Sequence, residues 1–242
     1  MKGMLRRLCG AALLSAVCWA GAAAQEAGGA GAGGARLLVA RGNALYERAE
    51  YEAAIKLYAL VPAGAGEVYA QALYNVGVCR FELWQTEEAA RAYARAVEAR
   101  GGRYPKASYA LGVALEELGR AAEARQAYEH AAGEGYAPAH YKLGVLAAGA
   151  GDAGRAAEHF REAAARSPGG FPASHNNLGV MLARAGRLGE AEREFETALR
   201  QSGGRFEEAA HNLKLCRGLR AGAGAGVAGL KASAAAGDGL KR

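Results

Sequence analysis

The sequence predicts an all-α protein made of five helical hairpins in series, closed by one further helix, and three observations carry that prediction. Alanine supplies half of the apolar residues, and alanine is the strongest intrinsic helix former. The five prolines (Pro62, Pro105, Pro138, Pro168 and Pro172) all fall in joints or at helix starts, where a missing N–H and a fixed φ are tolerated. Five glycines, Gly42, Gly77, Gly112, Gly144 and Gly179, recur at spacings of 35, 35, 32 and 35 residues. A period of that size marks an array in which each repeat is one supersecondary unit.

The repeat is more than a glycine. Twelve residues after each stands an alanine: Ala54, Ala89, Ala124, Ala156 and Ala191. Four residues further comes an aromatic, Tyr58, Tyr93, Tyr128, Phe160 and Phe195, and three more bring Val61, Ala96, Ala131, Ala163 and Ala198. Positions i, i+4 and i+7 share one helix face, so the alanine, the aromatic and the small residue define the inner face of a second helix. The glycine lies in the first helix, where the missing side chain admits its neighbour. The aromatic is expected to pack onto the next hairpin. Gly119, Gly151 and Gly186 share one slot between the two helices, suited to closing the first helix. Trp84 occupies that slot in the second copy, and the third copy is three residues short.

Stretches such as NNLGVMLARAGRLGEAEREFETALRQ and ASYALGVALEELGRAAEARQAYEHAA resemble the tetratricopeptide repeat family, in an exported bacterial form. The resemblance covers about residues 35–206. It implies a right-handed superhelical solenoid of five hairpins, at about 35–69, 70–104, 105–136, 137–171 and 172–206. Residues 207–220 read as a capping helix: Leu213 matches Leu178, but Lys214 stands where the next glycine would. A terminal unit has no successor and must face water.

The two ends are different in kind. Residues 1–24 run from Lys2, Arg6 and Arg7 through an apolar stretch, Leu8 to Ala20, to Ala22-Ala23-Ala24, the order of a secretory signal. The expectation is export to the periplasm. A retained N-terminal anchor is the alternative, as is a lipoprotein built on Cys18. Residues 25–34 read as a Gly/Ala-rich linker, and residues 221–242 as a disordered Gly/Ala-rich tail with too few large apolar groups to offset ordering entropy.

The net charge of +6 resides in these ends: +3 in residues 1–24 and +5 in 214–242, leaving −2 for 25–213. A near-neutral body has no footprint for a phosphate backbone, so no nucleic-acid partner is expected. The basic tail could touch an anionic membrane. Removing the signal leaves Cys79 and Cys216, too far apart along the array for a disulfide.

No catalytic spacing, cofactor motif or HExxH metal helix is present. His140 and His175 share a slot in successive repeats but read as ordinary packing, and the chain reads as a non-enzyme with no cofactor or metal. The pairs Glu87/Glu88, Glu116/Glu117 and Glu207/Glu208 read as solvated faces or helix N-terminal charges.

In the resembled family the first helix of each hairpin lines a concave groove. Residues three before each glycine (Val39, Tyr74, Tyr109, Tyr141, Asn176) and one after (Asn43, Val78, Val113, Val145, Val180) share a face, with Phe81 one turn beyond Gly77. The candidate groove is therefore Asn43, Tyr74, Val78, Phe81, Tyr109, Val113, Tyr141, Val145, Asn176 and Val180. It is expected to present an open row of tyrosines beside valines to a protein or peptide partner. The function that follows is a protein–protein interaction scaffold of the bacterial cell envelope. The alternatives are a membrane-associated assembly subunit and a cell-wall carbohydrate-binding or enzyme-accessory solenoid.

Overall fold

The computed structural model of the chain describes residues 31, 33–167, 169–222 and 226–233. The expected signal segment lies outside them. Of the expected 25–34 linker, residues 33 and 34 already belong to the first helix.

Every regular element among the described residues is helical. Helix α1 (33–46) pairs with α2 (Tyr51–Ala59). The later hairpins are α3 (Glu67–Glu82) with α4 (Thr86–Ala99), α5 (Pro105–Glu117) with α6 (Ala121–Gly133), α7 (Ala137–Gly149) with α8 (Ala153–Ala165), and α9 (Pro172–Arg184) with α10 (Leu188–Gln201). Helix α11 (Glu207–Arg220) follows as the cap. The chain divides into two compact units, Met1–Gly101 with the first two hairpins and Gly102–Arg242 with the other three and the cap. Within each unit successive hairpins stack side by side, as in a helical solenoid.

The repeating glycine has a definite partner. A Cβ built on Gly42, Gly77, Gly112, Gly144 or Gly179 would lie 2.4, 2.5, 2.5, 2.7 or 2.6 Å from Cε1 of Tyr58, Tyr93, Tyr128, Phe160 or Phe195. Each ring belongs to the second helix of the same hairpin and lies against the glycine, where a Cβ would collide with it. The sequence-based expectation that these rings pack onto the next hairpin is therefore incomplete: Tyr58, Tyr128, Phe160 and Phe195 share core clusters with residues of the following unit such as Ala72, Leu143, Met181 and Leu213, but each also closes its own hairpin. The glycine and the aromatic sixteen residues on are one contact, and they fix how closely the paired helices approach. All five rings are at most 3 % exposed, and burying a ring of this size contributes roughly 2–3 kcal/mol. The alanines at i−4 and i+3 from each ring keep the rest of that face flat: Ala54, Ala89, Ala156 and Ala191 are fully buried.

The turn between paired helices needs one residue in left-handed conformation to reverse the chain. Gly119, Gly151 and Gly186 supply it at φ 74°, 82° and 78°, and the equivalent residues Ala49 and Trp84 adopt it at 58° and 60°. Trp84 thus has a strained backbone, and it is also 85 % exposed. The shortened third copy loses its residues from the joint between hairpins, where only 134–136 connect α6 to α7 while 166–171 connect α8 to α9.

Cys79 and Cys216 are free and buried. Burial pushes the Cys79 thiol up to about 12, so it acts as a small apolar side chain. Helix α11 packs Leu213 and Cys216 inward and leaves Lys214 exposed. Arg217 ties the cap to α10 through Glu192 and Glu196, at 2.7 and 2.6 Å.

Candidate functional site

The expected tyrosine row sits in the right helices but is not open. Tyr74, Tyr109 and Tyr141 are 4, 3 and 0 % exposed. Each tilts against the aromatic of its own hairpin, with centroids 5.6 Å apart for Tyr74–Tyr93, 5.6 Å for Tyr109–Tyr128 and 5.7 Å for Tyr141–Phe160. The row recurs because each tyrosine extends the aromatic seam begun at the glycine. Val78 and Val180 are buried as well, and Val113 and Phe81 half-buried. Asn43 is exposed but accepts hydrogen bonds from Tyr58 Oη at 2.8 Å and Asn75 Nδ2 at 3.0 Å.

The open face of the second unit carries something the sequence reading did not foresee. Residues 226–233, expected to be disordered, lie along α11, α9 and α7. They begin with a single 3₁₀ turn at Val227–Gly229 and continue as extended chain, with Leu230 at φ −71° and ψ 132°. Leu230 is 5 % exposed and joins the core formed by Tyr141, Leu178, Met181, Leu213 and Cys216. One large apolar side chain, with the polar contacts below, suffices to order a segment otherwise made of small residues.

Those contacts are made to main chain. Asn212 Oδ1 accepts from the Lys231 N–H at 2.8 Å, and its Nδ2 donates to the Lys231 carbonyl at 2.8 Å. Asn177 does the same for Ser233, at 2.7 and 2.9 Å. Asn176 Nδ2 donates to the Lys231 carbonyl at 3.1 Å, Tyr141 Oη donates to the Ser233 carbonyl at 2.6 Å, and His211 Nε2 lies 3.1 Å from the Gly229 carbonyl. The side chains also bond one another: Asn212 to Asn176 at 2.8 Å, Asn176 to Asn177 at 3.2 Å, and Asn177 to Tyr141 Oη at 3.2 Å. Asn176, Asn177 and Asn212 are at most 2 % exposed. Buried amides cost free energy unless paired, and these are paired by one another and by the seated backbone.

The register follows from the repeat. Tyr141, Asn176 and His211 occupy one slot of successive repeats, three before the glycine position, and they reach the carbonyls of residues 233, 231 and 229. Asn177 and Asn212 occupy the next slot and hold residues 233 and 231. Each step of one repeat along the array thus equals two residues of the seated segment, which runs the opposite way. Residues two apart in extended chain present their N–H and C=O to the same edge, roughly 7 Å apart, near the spacing of neighbouring helices. Of the residues predicted from sequence, Tyr141, Val145 and Asn176 come together here. Asn177, Asn212 and His211 were missed, although asparagine at one slot in residues 75, 177 and 212 is a visible signal.

Elsewhere the polar groups serve structure. Glu116 accepts from Tyr128 Oη at 2.7 Å and pairs with Lys142 at 2.9 Å, joining the third hairpin to the fourth. It is more than the solvated charge expected. Partial burial pushes its carboxyl up, but those two partners outweigh it and hold it below the ordinary carboxylate range. His140 faces His159 rather than His175, with Nδ1 atoms 3.4 Å apart, and His175 bonds Glu194 at 2.7 Å. Among the described residues no group of three or more His, Cys, Asp or Glu could hold a metal ion. None of the described helices is long and apolar enough to cross a membrane.

The tetratricopeptide repeat family model matches residues 80–138 and 141–206, just over half of the chain. This chain belongs to the tetratricopeptide repeat family. Among solved structures it is similar to MamA (41-end) from Desulfovibrio magneticus RS-1, at 21 % identity and a TM-score of 0.52, covering 71 % of this chain and 97 % of that one. It is also similar to YrrB, described as a TPR protein with an unusual peptide-binding site, at 23 % identity and a TM-score of 0.52, covering 73 % and 90 %. A third is the C-terminal part of a TPR repeat-containing protein from Cytophaga hutchinsonii, at 14 % identity and a TM-score of 0.59, covering 76 % and 72 %. At these identities the likeness is one of fold. No curated protein sequence matches the chain significantly. In this tetratricopeptide repeat protein the two first-helix slots occupied by Tyr141, Asn176 and His211 and by Asn177 and Asn212 are the ones its own segment 229–233 meets.

Proposed function

We propose that this protein is a non-catalytic interaction scaffold whose second unit grips an extended peptide by its main chain. The observation that carries the reading is the pair of asparagine clamps, Asn212 on Lys231 and Asn177 on Ser233, each using both main-chain groups of one residue. A side-chain amide that donates and accepts at once reads backbone, not side chain, as an added strand would. The proposal revises the tyrosine-and-valine groove expected from sequence. Tyr141 contributes its hydroxyl and Val145 the wall, while the asparagines do the holding. The unusual peptide-binding site described for YrrB is in keeping with this reading.

The test uses the full chain with Leu230→Ser, which weakens the resident segment without touching the groove. A fluorescein-labelled Ala-Gly-Leu-Lys-Ala-Ser peptide should bind with a dissociation constant below about 1 mM, and adding Asn177→Ala and Asn212→Ala should remove that binding. No binding to the Leu230→Ser chain at millimolar peptide sinks the proposal.

We further propose that the scaffold works in the bacterial cell envelope, a reading supported by the basic, apolar and small-residue order of residues 1–24. The mature chain should be recovered from the periplasmic fraction with Gln25 at its N-terminus. Full-length chain in the cytosol would reject export.

A further inference from the structure

The seated segment is a poor fit at one place. Beside Ala232 and Ser233 lies a pocket of about 220 Å³, half open to solvent, walled by Val145, Ala148, Phe160, Asn177 and Met181. Four of those five wall residues are apolar, and Ala232 and Ser233 are the only residues of the segment that line it. In extended chain, residues 230 and 232 project to the same side and residue 231 to the other. Leu230 is buried on that side, Lys231 is exposed, and Ala232, whose methyl only rims the space, is exposed as well. A segment held by the same clamps therefore presents its residue after next from the leucine to this apolar space.

We propose that the groove's intended occupant is an extended segment of a partner protein that reads small–Leu–any–bulky apolar–small, and that the chain's own Gly229-Leu230-Lys231-Ala232-Ser233 is a weaker stand-in which the partner displaces. The inference rests on the peptide-gripping reading above and adds the identity of the ligand. The leucine fills the site of Leu230. The residue after the leucine faces solvent and is free to vary. The next one, where the resident segment has Ala232, fills the pocket with leucine, methionine or phenylalanine. The main chain of the third and fifth residues of the pattern meets Asn212 and Asn177. Because the stand-in makes every main-chain bond but leaves the cavity empty, it keeps the buried amides satisfied until a partner arrives and yields to one that buries more apolar surface.

The experiment compares two peptides on the full chain carrying Leu230→Ser, Gly-Leu-Lys-Ala-Ser and Gly-Leu-Lys-Leu-Ser, each with blocked ends. Three added carbons buried in the cavity should tighten the second peptide about 10- to 50-fold. Ala148→Leu, which narrows the pocket from its wall, should erase that difference. In the otherwise natural chain, Ala232→Leu should slow tryptic cleavage after Lys231 at least tenfold. Equal affinities for the two peptides, or faster cleavage of the Ala232→Leu chain, overturn the inference while leaving peptide gripping intact. Failure of both peptides to bind is failure of the gripping reading itself. If Ala232→Leu instead produces a concentration-dependent dimer by light scattering, the occupant is a second copy of this chain and the partner assignment falls.

Discussion

Asn177 holds Ser233 by both of its main-chain groups, accepting from the N–H at 2.7 Å and donating to the carbonyl at 2.9 Å, across 56 residues of sequence. Its Nδ2 also donates to Tyr141 Oη at 3.2 Å, and that hydroxyl donates to the same Ser233 carbonyl at 2.6 Å. One buried amide therefore couples a tyrosine of the fourth hairpin to the C-terminal segment.

Removing that amide should free the segment without unfolding the helices. In Asn177→Ala, tryptic cleavage after Lys231 should quicken at least tenfold, since two bonds to backbone are lost at about 1 kcal/mol each. Helical circular dichroism should stay near that of the natural chain. Asn75→Ala, at the same repeat slot in the first unit, should leave the cleavage rate unchanged. Mass spectrometry of a timed digest reads the outcome, and equal rates for Asn177→Ala and the natural chain would refute the clamp.

The glycine–aromatic contact makes a second prediction. Gly112→Ala places a Cβ 2.5 Å from Tyr128 Cε1, and neither the helix backbone nor a fully buried ring can move away freely. Stability should drop by about 1–3 kcal/mol. Adding Tyr128→Leu should recover part of that loss, so the two changes together cost less than their sum by about 0.5 kcal/mol or more. Urea denaturation of the four chains in the cycle provides the check, and strict additivity would mean the ring is not what excludes the Cβ.

Much of the fold was legible because this contact is written at fixed spacing: only glycine permits the approach and only a ring fills it, so both recur. The same logic explains what was misread. Tyr74, Tyr109 and Tyr141 recur as faithfully as a recognition surface would, yet they do so because each packs against Tyr93, Tyr128 or Phe160. Periodicity reports that a position is constrained and does not report whether packing or a ligand constrains it. The segment 226–233 was illegible for another reason. Its composition is that of disordered chain, and its order depends on Leu230 and on amides that lie 19 to 56 residues earlier. The asparagines at 75, 177 and 212 were readable as a slot, but Asn177 and Asn212 hold backbone, which has no signature in sequence, while Asn75 bonds Asn43.

Trp84 gives a third prediction. It adopts φ 60° where the last three repeats use glycine, and its side chain is 85 % exposed, so no packing offsets the strain. A non-glycine residue in this conformation costs roughly 1–2 kcal/mol. Trp84→Gly relieves that strain while enlarging the freedom of the unfolded chain, which costs back part of the gain. The net expectation is a chain more stable by about 0.5–1 kcal/mol, seen as a raised melting temperature. A lower melting temperature would show that the exposed indole contributes stability that its position does not suggest.

The last prediction concerns pH. His140 and His159 face one another with Nδ1 atoms 3.4 Å apart, a distance at which one ring can donate only if the other is unprotonated at that atom. Burial comes first in lowering both pKa values, and for His140 the neighbouring His159 and Arg166 lower it further against the opposing pull of Glu162. For His159, Glu158 and Glu129 pull upward while Arg125 and Arg155 push down, and burial still prevails. Both folded-state pKa values therefore lie below the unfolded value of about 6.5. As pH falls below that value the unfolded chain takes up protons that the folded chain refuses, so stability is full above it and declines on acidification until the folded pair itself titrates. The melting temperature should hold steady from pH 8 to 7 and fall from pH 6.5 toward 5. In the His140→Gln/His159→Asn chain the decline over that window should be shallower, because the uptake of protons on unfolding that drives it has been removed. A natural chain that melts higher at pH 5.5 than at pH 7.5 would mean the pair gains a proton on folding, the reverse of what its burial dictates.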